Sequence, residues 1–503
     1  MAAENATPLT TEVLVVGGGP VGLMLAGELR LGGAEVTVLE RRTGPTTESR
    51  ASTLHARTAE LLDGRGLLGR LGDPPREPRG HFGGIPLDLT LPGPCSGQWK
   101  VPQGRTEELL DAWARSLGAD VRRGHELHTL TAGEDHVEAR ASGPDGTVVV
   151  RAAYAVACDG EDSTVRRLLA PRFPGHDAGR ELLRADVAGI DVPDRRFERL
   201  PGGLAVAARR PDGVTRVMVH EFGAAARRRT AAPEFAEVAA AWERVTGERI
   251  GAGTPLWVNA FGDASRQLAR YRHGRVLYAG DAAHRQMPIG GQALNLGLQD
   301  AVNLGWKLAA TVRGRAPADL LDTYDTERRA VGLRVLGNIG IQAGLLLGGP
   351  EADPLRALLG ELIPLEEVRV HLAGMISGLD VRYDMGPDGG HPLCGARLPC
   401  LRLLVGDRPS TGFRLLRAGG GVLLDLVGDD RIRAQAAPWA DRVRYTAARL
   451  DGPRPDGLPD GTDAVLLRPD GHVAWAATAA GAARNGPGEA LRRWFGEPGE
   501  AGA

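Results

Sequence analysis

The feature that most constrains this chain is the run Gly17-Gly18-Gly19-Pro20-Val21-Gly22, which follows at once on the short apolar stretch Glu12 to Val16. A stretch of that length closed by glycines reads as a buried parallel strand. In a G-x-G-x-x-G placed between strand and helix, Gly17 permits the tight turn and Gly19 lets the backbone approach a pyrophosphate. Gly22 allows helix and strand to pack closely, and the phosphate rests on the helix N-terminus. The predicted helix, Val21 to Leu31, carries Leu23, Ala26 and Leu29 at helical spacing. A second strand, Glu35 to Leu39, ends in Glu40, placed to accept hydrogen bonds from a ribose. Pro20 and Arg41 complete the candidate cofactor-binding residues of this unit. It is a dinucleotide-binding module, and FAD and NAD both satisfy it.

At 503 residues the chain exceeds what one hydrophobic core usually organises, so two or three domains are expected. A net charge of -2, with Arg spread along the whole length, offers no basic stripe for nucleic acid. Lysine occurs only as Lys100 and Lys307 beside abundant Arg, Ala, Gly and Pro, the mark of a GC-rich bacterial coding sequence. Four cysteines, Cys95, Cys158, Cys394 and Cys400, make no disulfide framework, no Cys-x-x-Cys and no Cys/His cluster for a metal. The N-terminus lacks a charged segment followed by an apolar one, and no run approaches 18 uninterrupted apolar residues. Neither export nor a membrane is therefore expected, and the cytoplasm is the expected location.

Two further motifs follow. Val156-Ala157-Cys158-Asp159-Gly160-Glu161-Asp162-Ser163-Thr164-Val165-Arg166 reads as strand, turn and helix, with Ser163 as the N-cap and Arg166 on the first helical turn. Arg275 to Ala279 is a strand ending in Gly280-Asp281-Ala282-Ala283-His284, and Met287-Pro288-Ile289-Gly290-Gly291-Gln292-Ala293-Leu294-Asn295 leads into a long helix.

With these three motifs in this order the chain resembles the flavoprotein aromatic hydroxylases typified by p-hydroxybenzoate hydroxylase. It resembles in particular the aromatic polyketide hydroxylases of angucycline biosynthesis, through Gly27-Glu28-Leu29-Arg30-Leu31, Gly80-His81-Phe82-Gly83-Gly84, His371-Leu372-Ala373-Gly374-Met375 and Arg468-Pro469-Asp470-Gly471-His472-Val473-Ala474-Trp475-Ala476. The resemblance implies FAD as cofactor. Asp281 would accept from the ribityl chain, Pro288 and Gly290-Gly291 would line the flavin near its reactive carbon, and backbone groups of Leu294 and Asn295 would hold the pyrimidine ring. Arg50 would lie along the pyrophosphate, Gln103 near the ribityl region and Leu127 beside the adenine. Asp159 and Arg166 would serve both flavin and a transient nicotinamide, and His284 is a structural hydrogen-bonding residue. The chain departs from the family pattern at Ala293 (usually Gly), at Leu296 (usually Asn or Thr) and over Arg285-Gln286-Met287.

The implied fold is α/β: a Rossmann-like FAD-binding domain (residues 1–175 with 265–390, contributing a wall at 76–100), a mixed-sheet substrate domain (176–264) and a C-terminal thioredoxin-like domain (391–503) without redox cysteines. Gly203 to Arg209 and Thr215 to Glu221, joined at Pro211-Asp212-Gly213, read as a hairpin, and the family places His81 to Leu87 in the same wall. The pattern over Asp322 to Leu347 fits core packing or a homodimer contact. Gly348-Gly349-Pro350 and Pro387-Asp388-Gly389-Gly390 bracket a linker. Strands at Gly421 to Leu426, Ala464 to Leu467 and Val473 to Ala476 and a helix near Glu489 to Trp494 close the chain. The implied reaction takes hydride from NADPH or NADH, adds O2 at flavin C4a to give a hydroperoxide, and hydroxylates a polycyclic aromatic substrate. Baeyer-Villiger and epoxidising variants use the same parts, and a flavin-binding partner without turnover is the reading from another class.

Overall fold

The first apolar stretch becomes the strand Leu9–Val16, buried from Val13 onward, and its neighbours explain why. It lies between Gly146–Ala157 and Val36–Glu40 and runs parallel to both. Val276–Tyr278 continues the parallel order beyond Gly146–Ala157, and Asp120–Arg123 beyond Val36–Glu40. Val137–Gly143 and Glu126–Ala132 branch antiparallel from Gly146–Ala157. The helix Pro20–Leu31 packs between this sheet and the long helix Gln292–Val312. The computed structural model describes residues 8–45, 52–386, 390–478 and 486–498.

Register carries this arrangement to the site. Val16 is paired with Ala157, and Ala157 with Tyr278. The carboxyl ends of these three strands therefore finish side by side, where open α/β sheets bind ligands.

A second sheet is antiparallel, in the order Arg195–Leu200, Gly203–Arg209, Thr215–Glu221, Glu181–Ala188, Thr254–Gly262. The expected hairpin keeps its bounds. One face buries Val217, Val219 and Ala205 against Trp242 and Val238 of the helix Phe235–Thr246. The other packs Leu182 and Leu204 with Met287, Ile289, Ile339 and Ala343. The segment expected in the same wall pairs only with itself, as Arg79–Phe82 against Ile85–Asp88. It reaches the sheet through side chains: Arg196 Nη2 donates to Gly80 O at 3.2 Å, and the rings of His81 and Phe197 lie 4.3 Å apart. Phe197 sits at a bulge with φ +51°, a conformation that costs a bulky residue about 1–3 kcal/mol and persists only where neighbours impose it. Arg199 supplies part of that restraint, donating to Gly348 O at 2.8 Å and to Gly349 O at 2.9 Å.

The helix Asp322–Leu347 keeps its expected bounds. Its most apolar window averages 1.5 in hydropathy, enough by composition to cross a bilayer, but half of that window is buried inside the protein. Tyr324, Arg328, Asn338 and Gln342 face inward, while Leu333 and Ile341 are exposed. The expected linker after it contains two helices, Asp353–Leu362 and Glu366–Ser377. Pro354 at the start of the first and the acidic first turns of both are helix-start signals that the flanking glycine breaks obscured. Residues 387–389 of the expected turn lie outside the described residues.

The C-terminal sheet has the order Val443–Ala447, Gly421–Asp425, Ala464–Leu467, Val473–Ala477. The first two strands are parallel and joined through the helix Asp430–Ala436, the last two form an antiparallel hairpin, and the helix Gly488–Phe495 buries Leu491 and Trp494. The hairpin turn Arg468-Pro469-Asp470-Gly471 is driven into the rest of the molecule. Arg468 is wholly buried, its guanidinium donating to Glu327 Oε1 at 2.6 Å and pairing with Asp470. Glu327 also accepts from Lys307 Nζ at 2.7 Å. Arg65 donates to Glu28 at 2.6 Å and to Pro469 O at 2.9 Å. Buried charges persist only when paired and bonded in this way, so removing one partner here would strand the other without its counter-charge.

Candidate active site

At the carboxyl ends of the parallel strands lies a cavity of about 330 Å³. Gly17, Gly19, Pro20, Glu40, Arg41, Gln103, Leu127, Asp159, Asp281, Pro288 and Leu294 all line it. The three motifs, far apart in the chain, therefore converge on one space. Gly22, Arg166, Gly280, Gly290, Gly291 and Asn295 are not in the lining, and Arg50 lies outside the described residues.

Steric detail explains the glycine turn. A Cβ on Gly22 would lie 1.9 Å from Gly17 O, so helix and strand could not close. Gly17 has φ +106°, and a Cβ there would lie 2.3 Å from Cys158 O. At Gly19 a Cβ would meet nothing within 4 Å, because this residue faces the open cavity. Gly19 caps the helix Pro20–Leu31 with no side chain and no acid follows in the first turn, so the helix N-terminus keeps free N–H groups and its positive end for an anion. Glu40 accepts from Gly18 N at 2.6 Å and from Arg42 N at 2.8 Å, holding the turn shut. Each carboxylate oxygen keeps a further lone pair for a hydroxyl.

Asp159 follows the second strand end. Its Oδ2 accepts from Val165 N at 3.1 Å, while its buried Oδ1 has no partner among the described residues. Burial pushes its carboxyl above the usual range. An orphaned buried oxygen in a cavity wall calls for a ligand donor. Ser163 caps the helix Thr164–Leu169 by accepting from Arg166 N at 3.0 Å. The guanidinium of Arg166 is turned to the chain itself, donating to Ala282 O at 2.9 Å and lying 4.4 Å from the ring centre of Phe173.

The third motif is pinned from behind. Asp300, wholly buried, accepts from Gly280 N at 3.1 Å, His284 Nε2 at 3.0 Å and Arg328 Nε at 2.7 Å. Burial opposes its ionisation, but Arg328 and His284 hold its carboxyl below the usual range. Asp281 is thereby left exposed at the cavity on a fixed turn. Gly290 and Gly291 take φ +64° and +69° in succession, which only glycine does without strain, and they turn the chain into the helix Gln292–Val312. The Asn295 side chain ties this turn down: its Nδ2 donates to Gly291 O at 2.7 Å and Thr53 O at 3.1 Å, and its Oδ1 accepts from His55 N at 2.8 Å. Ala293 lines the cavity, whereas Leu296, the other departure in this helix, is buried away from it.

Sequence reasoning did not single out Phe261, Arg42, His125 or Thr164, which also line the cavity. Phe261 comes from the strand Thr254–Gly262, whose burial shows no alternation and so left no readable inward face.

The family described as "FAD binding domain" matches residues 10–338, and "Aromatic-ring hydroxylase, C-terminal" matches residues 391–498. The chain belongs to the FAD-dependent aromatic-ring hydroxylases. This hydroxylase is 44% identical over 511 residues to the 12-dehydrotetracycline 5-monooxygenase/anhydrotetracycline 6-monooxygenase of Streptomyces rimosus, an alignment covering 97% of this chain and 99% of that one. Two solved structures share its fold along nearly the whole chain. BexE, studied for oxidation during BE-7585A biosynthesis, is 50% identical with a TM-score of 0.91 and coverage of 97% and 100%. CabE, an aromatic hydroxylase from angucycline biosynthesis, is 48% identical with a TM-score of 0.92 and the same coverage. The enzyme is a FAD-dependent monooxygenase, and NAD(P)H is the reductant typical of its family. The cavity suits that cofactor: an uncapped helix N-terminus beside Gly19 for its phosphates, an unpaired Asp159 oxygen, and an exposed Asp281.

Proposed function

We propose that this monooxygenase hydroxylates a polycyclic aromatic polyketide of the angucyclinone type in antibiotic biosynthesis, working in the cytoplasm with NADPH or NADH as reductant. The observation that carries the reading is the end-to-end likeness to CabE and BexE, which extends through both matched family regions. An apolar cluster adjoins the cavity: Leu182 and Leu204 of the antiparallel sheet pack on Met287 and Ile289 of the turn, together with Ile339 and Ala343.

In this reading Gly17, Gly19, Pro20 and Gly22 shape the pyrophosphate site, Glu40, Arg41 and Leu127 hold the adenosine half, and Gln103 and Asp281 the ribityl chain. Asp159 and Arg166 serve the flavin and the passing nicotinamide. Pro288, Gly290 and Gly291 stand at the reacting edge, with Leu294 and Asn295 on the pyrimidine side. Bound FAD supplies the redox chemistry, taking hydride from the nicotinamide and activating O2 so that one oxygen atom enters the ring and the other leaves as water. The protein positions the ring and keeps water out, because the antiparallel sheet covers the turn Ile289–Gly291 from one side.

The division into FAD-binding, substrate and C-terminal domains is supported by separate hydrophobic clusters around Val15, Val217 and Leu423. A thioredoxin-like C-terminal domain is supported by the strand order, with one parallel pair followed by an antiparallel hairpin. Its two cysteines, Cys394 and Cys400, do not make a Cys-x-x-Cys.

The test is to incubate the FAD-loaded protein with NADPH, O2 and a panel of angucyclinone-type and linear tetracyclic compounds. The expected result is substrate-stimulated NADPH oxidation with a product heavier by one oxygen atom. NADPH oxidation that no aromatic polyketide accelerates would remove the proposal.

A further inference from the structure

Gln286 lines the cofactor cavity, and its carboxamide Nε2 and Oε1 are both shielded from solvent with no partner among the described residues. A buried amide left unpaired forfeits the hydration of a donor and an acceptor together, so such a group is expected to pair with something that arrives. Its neighbours have other destinations. His284 turns inward to Asp300, Arg285 is exposed, and Met287 packs with Leu182 and Ile289. The strand His284–Arg285 is held by Ser265–Gln267, so Gln286 is presented to the cavity from a fixed backbone.

Phe261 lines the same cavity. Its ring is braced by Trp257, 6.4 Å away between centres, and by the Arg184 guanidinium, which lies 4.5 Å from the Trp257 ring centre and 5.8 Å from that of Phe261. An aromatic face and an amide edge thus meet in one space beside Asp281 and Pro288.

We infer that Gln286 reads the amide edge of a flat heteroaromatic ring packed against Phe261, Nε2 donating to a ligand carbonyl and Oε1 accepting from the adjacent N–H. Two molecules used by this enzyme carry that edge: the pyrimidine side of the flavin and the carboxamide of the nicotinamide. The inference rests on the enzyme being a flavoprotein monooxygenase and is independent of which aromatic substrate it takes.

The test compares wild type with Gln286→Leu, which keeps the volume and removes both hydrogen bonds. One arm titrates FAD into apoprotein by flavin fluorescence; the other takes NADPH affinity from anaerobic flavin reduction at saturating FAD. The expected result is about tenfold weaker binding in at least one arm, with the apoprotein melting temperature unchanged or raised. A loss in the first arm assigns the flavin edge, and a loss in the second the nicotinamide. Affinities within about twofold of wild type in both arms overturn the inference, as does a lowered melting temperature with both affinities retained. Should Gln286→Leu fail to fold, Gln286→Glu, which keeps size and loses the donor, carries the same comparison.

Discussion

Arg328 donates from Nε to Oδ1 of Asp300 at 2.7 Å with both side chains closed to solvent, and the other carboxylate oxygen holds Gly280 N and His284. This pair, in the packing layer between two helices, sets the turn on which Asp281 stands. Replacing Asp300 by Ala leaves Arg328 as a buried charge without its carboxylate. The expected loss is about 3–5 kcal/mol of stability, read from urea unfolding. The purified variant should also retain less flavin per chain, because the Gly280–Ala282 turn loses its anchor.

Gly19 and Gly22 of the turn should separate folding from cofactor binding. Gly19→Ala places a methyl in the open cavity, so the apoprotein should melt within about 1 kcal/mol of wild type while FAD binds more weakly. Gly22→Ala forces a carbon to within 1.9 Å of Gly17 O and should cost about 1–3 kcal/mol in the apoprotein itself. Calorimetry of both apoproteins beside flavin titrations checks the contrast; equal melting temperatures for the two variants would contradict it.

Asn295 both donates and accepts in tying Thr53, His55 and Gly291 together. Asn295→Ala leaves buried backbone groups unpaired at about 1–3 kcal/mol. Asn295→Asp is expected to do at least as much harm, because a carboxylate can accept from His55 N but cannot donate to the two carbonyls. Hydrogen exchange at residues 289–296 should quicken in both variants.

Acid should attack the contact between the C-terminal hairpin and the helices. Burial would raise the Glu327 carboxyl, but Arg468 and Lys307 bring it down to about 2. A depressed carboxyl stabilises the folded state above its unfolded value, near 4.5, and that contribution disappears as pH falls through the folded one. His472, lowered by burial to about 4, adds a loss between pH 6.5 and 4, because the unfolded chain takes up the proton first. Urea midpoints should therefore fall from pH 7 toward pH 3, with Glu327 alone accounting for a loss on the order of 3 kcal/mol over its window. In Glu327→Gln the part of the slope below pH 4.5 should shrink.

Several elements were legible from local pattern because local physics decides them. The glycine turn, the Ser163 cap, the hairpin at Pro211-Asp212-Gly213 and the helix Asp322–Leu347 each depend on residues within a few positions of one another. The two helices beyond Gly348 were missed because the flanking glycine breaks obscured their start signals, and in the first of them Leu355 and Leu358 stay exposed. The resemblance alone put His81 to Leu87 in the wall, and the pairing of Arg79–Phe82 with Ile85–Asp88 instead of with the sheet is a choice that tertiary packing makes.

What the sequence determined by itself is therefore the chemistry at each strand end: glycines where backbone must approach a phosphate, and Asp159 and Asp281 where hydroxyls or amides must be met. Only the tertiary structure decided that these ends share a cavity, because that follows from the register Val16 to Ala157 to Tyr278 across parallel strands with no contact along the chain. It also decided that Gln286 and Phe261 complete the same wall while Arg166 turns back on its own chain. Local sequence sets which hydrogen bonds a residue can make, and long-range packing sets which partners come within reach.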